Sequence, residues 1–303
     1  MSLLLSLGMI GVGLLIGLLG GGGSLLLVPL LVELGEMSVK PAIATSLLVV
    51  GTTSLVSALR QMKKANVCWK NGAAFGASGM AGAFLGGMLA EWLPDDLLMI
   101  LFALMMIATA LSMIAGRRER QGGHTPGEGP CPTFINLPGV LFDGFLVGMV
   151  TGLVGVGGGF VIVPALNILG GLNLRAAIGT SMMVVGMNSF AALTGYLDHI
   201  QLNLQDTLTM IALTVPSSII GQKLSSFFPA SWLRRGFGIF ALSVAAFLLR
   251  NALTPESLAT VKALVDAHRE FLIGMSTPFA VLLVYWIRGL IHHRDLGRPN
   301  TSP

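Results

Sequence analysis

A chain of 303 residues, 53% hydrophobic and only 11% charged, with a mean hydropathy of +0.81, is too apolar for a soluble core inside a wettable surface. The net charge of +4 does not point to nucleic acid, because the basic residues gather at the ends of apolar runs and no RNP, zinc-finger or basic-helix pattern occurs. Cys68 and Cys131 fall in separate loops without CxxC spacing, so neither a metal site nor a disulfide framework is expected.

The first apolar run, 3–34, lacks the basic start and A-x-A exit of a cleaved signal and is taken as mature structure. A spanning helix needs about 20 residues, so this run is too long for one pass. It is interrupted by Gly20-Gly21-Gly22-Gly23-Ser24. Spanning helices are predicted at 41–59, 71–92 and 97–115. Residues 116–136 begin with Arg117-Arg118-Glu119-Arg120, continue rich in Gly and Pro, and read as a polar linker. A second over-long run, 137–171, is interrupted by Gly155-Val156-Gly157-Gly158-Gly159. Helices follow at 176–196, 207–227 and 233–250, then a short loop at 251–268 and an unpaired helix at 271–290. The tail, with Arg288, His292, His293, Arg294 and Arg298, reads as a solvated membrane-proximal segment rather than a metal-binding tract.

Residue i set against residue i+135 aligns the two halves without a gap. Gly13, Gly17, Gly20, Gly22, Gly23 and Pro29 match Gly148, Gly152, Gly155, Gly157, Gly158 and Pro164. Ala42-Ile43, Thr45-Ser46 and Val49-Val50-Gly51 match Ala177-Ile178, Thr180-Ser181 and Val184-Val185-Gly186. Ser54, Gly86 and Pro94 match Ser189, Gly221 and Pro229. Apolar helices coincide by chance at Leu and Val, but Gly, Pro and Thr-Ser held in one register do not. The chain is a duplication: 1–115 and 137–250 are the repeats, 116–136 a cytoplasmic linker, and 251–303 an extra helix with a basic cytoplasmic tail.

Charge sets the relation between repeats. Loop 60–70 carries Arg60, Lys63, Lys64 and Lys70 and should be cytoplasmic. Its counterpart, 197–206, has Asp198 and Asp206 and no Lys or Arg. The next loops reverse the pattern, with Asp95-Asp96 against Arg234-Arg235. Equivalent loops of opposite charge predict inverted repeats. The expected fold is an all-α polytopic membrane protein of two inverted repeats. Each is a glycine-broken helical hairpin plus three transmembrane helices, and one C-terminal helix is added.

Within hydrocarbon every backbone polar group needs a partner, so a broken helix persists only where it is buried in protein or lines a watery cavity. The glycine stretches then serve either as close-packing devices or as breaks whose second half-helix presents N–H groups and a positive dipole end to an anion. On the second reading the substrate-binding candidates are Gly22, Gly23, Ser24, Gly157, Gly158 and Gly159. Thr45, Ser46, Thr180 and Ser181 would add hydroxyls, unless these bond back to their own helices. Asn188 and Ser189, with Thr53 and Ser54, could line the same path. Lys223, beside Gln222, is either a snorkelling lysine or a countercharge for an anion.

The segments GGGGSLLLVPLL with AIATS, and GVGGGFVIVPAL with AIGTS, resemble the paired signatures of the TauE/SafE family, the sulfite exporter group. The resemblance covers roughly 3–250. It implies a multi-pass carrier of sulfite, sulfonates or related small organic anions in the bacterial inner membrane. No mid-helix His, Cys or carboxylate pair, no HExxH, no GxSxG and no Walker loop supports an enzyme. An anion channel of the same architecture is the nearer alternative, a membrane-embedded enzyme the remoter one. The expected partners are a small anion and the lipid bilayer, with no nucleic acid, no metal and no cofactor; a homo-oligomer is compatible with the pattern.

Overall fold

The computed structural model describes residues 3–19, 21–62, 67–115, 137–155, 157–168, 172, 174–196, 203–225 and 230–252. They fall within one compact unit, and no strand occurs among them. The expected linker at 116–136, the expected helix at 271–290 and the basic tail lie outside the described residues.

The first half runs α1 (Leu3–Leu19), a 3-10 segment (Gly22–Leu26), α2 (Leu27–Glu33), α3 (Val39–Met62), α4 (Trp69–Glu91) and α5 (Asp95–Ala115). The second half runs α6 (Leu137–Val154), α7 (Gly159–Ile168), α8 (Leu174–Tyr196), α9 (Leu204–Leu224) and α10 (Ala230–Ala252). The six predicted long helices fall on α3–α5 and α8–α10, and each over-long run resolves into two helices at its glycines. Helix starts follow local chemistry. Asp95 and Asp96 occupy the positive first turn of α5, and the Asn203 side chain accepts from Asp206 N at 3.4 Å to cap α9.

Val39–Met62, Trp69–Glu91 and Ala176–Tyr196 are long and apolar enough to cross a membrane. Helices α5, α9 and α10 match them in length, at 21, 21 and 23 residues. Exposed Trp69 and Trp92 bracket α4, as amphipathic rings do at the two membrane–water interfaces. Between them α4 shows Met80, Phe84, Leu85 and Met88 outward, a surface suited to lipid.

The extensive helix interfaces join one half to the other. Helix α4 packs on α6 and α8, α1 on α9, α3 on α8 and α9, and α5 on α10. Exchanging equivalent helices turns α4/α6 into α9/α1 and α4/α8 into α9/α3. Lipid supplies no hydrophobic drive between helices, so close approach through small residues takes its place. In α1, a Cβ added at Gly13 would lie 2.6 Å from Thr214 O, and one at Gly17 would strike Ser218 O. In α6, Gly148 and Gly152 meet the carbonyls of Gly79 and Ala83, and in α4, Gly82 and Gly86 meet those of Phe145 and Met149. Gly13 and Gly17 are the sequence matches of Gly148 and Gly152, so equivalent glycines build equivalent seams.

One expectation is corrected. Cys68 is disulfide-bonded, although spacing alone gave no sign of a pair; its partner lies outside the described residues.

Candidate functional site

The two glycine breaks differ in detail. After α1, Gly21 takes φ 100° and donates its N–H to Ile16 O at 3.0 Å. The chain then tightens into the 3-10 segment. There Ser24 donates both Oγ–H (2.7 Å) and N–H (3.2 Å) to Gly21 O. Pro29 falls in the first turn of α2, which spans only seven residues. After α6, Gly155, Gly157 and Gly158 have φ of 74°, 66° and 78°, and α7 begins at once at Gly159. Val161 N–H and Ile162 N–H both donate to Gly158 O at 2.9 Å. Pro164 is the sixth residue of the ten in α7. A left-handed φ costs an ordinary L-residue about 1–2 kcal/mol, which explains glycine at Gly21 and Gly158.

The breaks touch. A Cβ built on Gly159 would stand 2.7 Å from both Cα and C of Gly21, so the chains meet backbone to backbone. Helices α3 and α8 hold the contact. Ser46 Oγ donates to Gly155 O at 2.7 Å, with Ile43 O an equally close acceptor in its own helix. Val185 stands beside Gly21 and Gly157, and Val50 beside Gly157. The carbonyls freed where α6 ends receive Tyr196 OH, 3.0 Å from Leu153 O.

The sequence-predicted residues divide by what their polar atoms do. Gly22, Gly23 and Ser24 are buried in the 3-10 segment, and Gly23 packs on the α1 backbone at Leu15 and Ile16. Ser24 and Ser46 spend their hydroxyls on carbonyls, as does Ser181, which donates to Ile178 O at 2.8 Å. Thr180 Oγ1 accepts from Cys68 N–H at 2.9 Å. Thr45 Oγ1 and both amide atoms of Asn188 are buried without a hydrogen-bond partner, and the Asn188 amide faces Gly79 of α4. Gly157, Gly158 and Gly159 form the second break. Lys223 is exposed in the last turn of α9.

Two further atoms stand out. Ser54 Oγ and Ser189 Oγ are fully buried and also lack partners, and Ser189 Oγ would lie 2.7 Å from a Cβ at Gly157. They are a matched pair in the duplication, which is the signal that marks them in sequence. By contrast the matched position of Asn188, Thr53, pairs with Thr214 Oγ1 at 3.2 Å, and Ser57 pairs with Ser218 Oγ at 3.3 Å. Among the described residues every buried polar side chain is neutral: Ser, Thr, Asn or Tyr.

An all-helical membrane protein with two broken helices meeting in its interior has the build of a transport protein rather than an enzyme. A sequence profile of the family described as Sulfite exporter TauE/SafE matches residues 5–248, and the chain belongs to that family. Among curated relatives, a "Probable membrane transporter protein" of Xylella fastidiosa is 31% identical over 254 residues, covering 82% of this chain and 95% of its own. YunE of Bacillus subtilis, described in the same words, is 30% identical over 74% of this chain and 86% of its own. A further such protein, of Haemophilus influenzae, is 28% identical over 77% and 92%. No solved structure matches the chain.

Proposed function

We propose that this chain is a secondary transporter that carries a small anion, of the sulfite or organosulfonate type, across the bacterial inner membrane by alternating access. The observation that carries the reading is the buried contact of Gly21 with Gly159. Two helices broken at membrane depth are tolerated only around a cavity or within protein. The start of α7 brings the positive end of a helix dipole to that place. The binding residues are Gly157, Gly158 and Gly159, with Gly22 and Gly23 across the contact and Thr45 and Asn188 on the flanking helices. Rocking of one repeat against the other would expose this point to each side in turn.

Purified protein in liposomes tests the reading. A saturable uptake of methanesulfonate or sulfite is expected, and Lys223→Met should stay within about twofold of wild type, since a snorkelling lysine adds little beyond anchoring. A linear, unsaturating conductance would replace the carrier with the channel reading.

The inverted arrangement has its own test. Lys70 and Gln205 are equivalent, 135 positions apart, and both are exposed. In a Cys68→Ser, Cys131→Ser background, Lys70→Cys should label from the cytoplasm and Gln205→Cys from outside. Labelling of both from one side would make the repeats parallel. A disulfide belongs to an oxidising compartment, whereas the basic residues of loop 60–70 assign Cys68 to the cytoplasm, so the Lys70 label also decides between those two readings.

A further inference from the structure

We propose that the site selects its anion by valence: Ser54 and Ser189 are ligand hydroxyls in a charge-free site that accepts a singly charged oxyanion and rejects a doubly charged one. The inference rests on the anion-transport reading above.

A buried hydroxyl with no partner is costly, on the order of 1–3 kcal/mol, and such atoms are rare unless something visits them. Here two occur at equivalent positions of a duplication, Ser54 on α3 and Ser189 on α8, both with no exposed surface. Ser189 Oγ stands against Gly157, in the left-handed stretch that opens α7. Gly51, one turn before Ser54, packs on the Ser189 Cβ (3.2 Å from an added Cβ). Ser189 therefore belongs to the α3–α8 crossing that supports the second break, and Ser54 follows one turn further along α3 from Gly51 at that crossing. The unpartnered hydroxyl supplies the donor that the first turn of α7 alone would not.

Valence follows from what can neutralise the ligand. A helix N-terminus carries roughly half an elementary charge, and hydroxyls contribute dipoles but no charge. No charged side chain is buried among the described residues. The cost of taking an ion out of water rises with the square of its charge, whereas its attraction to fixed dipoles rises only in proportion. Neutral donors that balance one charge fall well short for two. The ligands that fit are a sulfonate, singly charged at any physiological pH, or the once-protonated form of a diprotic oxyanion.

The experiment measures binding and liposome uptake of three probes from mildly acidic to mildly alkaline pH. Methanesulfonate should bind with no pH dependence. Sulfite uptake should fall by about tenfold per pH unit once its second proton is lost, and sulfate should neither bind nor compete. Ser54→Ala and Ser189→Ala should each weaken methanesulfonate binding about tenfold or more. Thermal stability should hold or rise in both, because each removes an unpartnered buried oxygen. A purely structural serine would show the opposite pattern. Sulfate binding as tight as that of methanesulfonate, or alanine variants that bind normally, would overturn the valence inference and leave anion transport standing. Failure of all three probes to bind wild type would overturn the transport reading with it.

Discussion

Gly159→Ala should reduce anion uptake by about a hundredfold in protein that still folds and inserts. The substitution adds one methyl group at the first residue of α7, where φ is not left-handed and where alanine favours the helix by up to about 1 kcal/mol. Its one evident cost lies across the break. The new Cβ would sit 2.7 Å from Cα and C of Gly21, inside the roughly 3.5–4.0 Å of ordinary carbon contact. Both obstacles are backbone, so no side chain can swing aside, and the two breaks must separate by about 1 Å. Displacements of that size cost on the order of a hundredfold where groups must converge on one ligand. Proteoliposome uptake, normalised to monodisperse protein, checks this. Uptake within about threefold of wild type would show that the breaks need not touch for transport.

The second large effect concerns assembly. Gly148→Ala puts a methyl into the carbonyl of Gly79, and Gly82→Ala puts one into that of Phe145. Each overpacks the α4–α6 seam by roughly 1–3 kcal/mol; the combined variant, with both changes in one seam, need not be additive. Its folded yield in detergent should collapse. Gly11→Ala and Gly236→Ala are the controls, because nothing lies within 4 Å of a Cβ at either position. Both should leave thermal stability unchanged or raise it by up to about 1 kcal/mol. Equal behaviour of the Gly11 and Gly148 variants would mean that the seam is not held by close approach.

The two uses of glycine show where sequence stops. Register exposed the duplication, and with it the order of elements in each half, because Gly, Pro and Thr-Ser pairs do not recur by chance. Yet Gly17 and Gly21 look alike in sequence. One lets α1 lie on the Ser218 carbonyl, and the other ends a helix at φ 100°. Only the partner across the fold distinguishes them, and that partner is some two hundred residues away for Gly17. Hydroxyls posed the same difficulty. Thr45-Ser46 and Thr180-Ser181 stood out as pairs, but Ser46 and Ser181 bond back to carbonyls of their own helices, and Thr180 receives the Cys68 amide. Ser54 and Ser189 match as well, but a lone serine in a helix carries no pattern beyond its register. Lys223, by contrast, is conspicuous by its charge, and the fold leaves it exposed.

The cross-wise seams have a consequence for how such a chain can exist at all. Helix α1 closes against α9, and α6 closes against α4, so neither half covers its own glycine-lined faces. Half of this molecule is an unfinished surface rather than a small domain. Supplied alone, it would have to seek an identical copy, and the pair would rebuild the same seams between chains. Joining the two halves in one polypeptide turns an encounter that depends on concentration in the bilayer into one that the linker guarantees. It also frees the halves to differ, which is what the unequal breaks at Gly21 and Gly155–Gly159 now do.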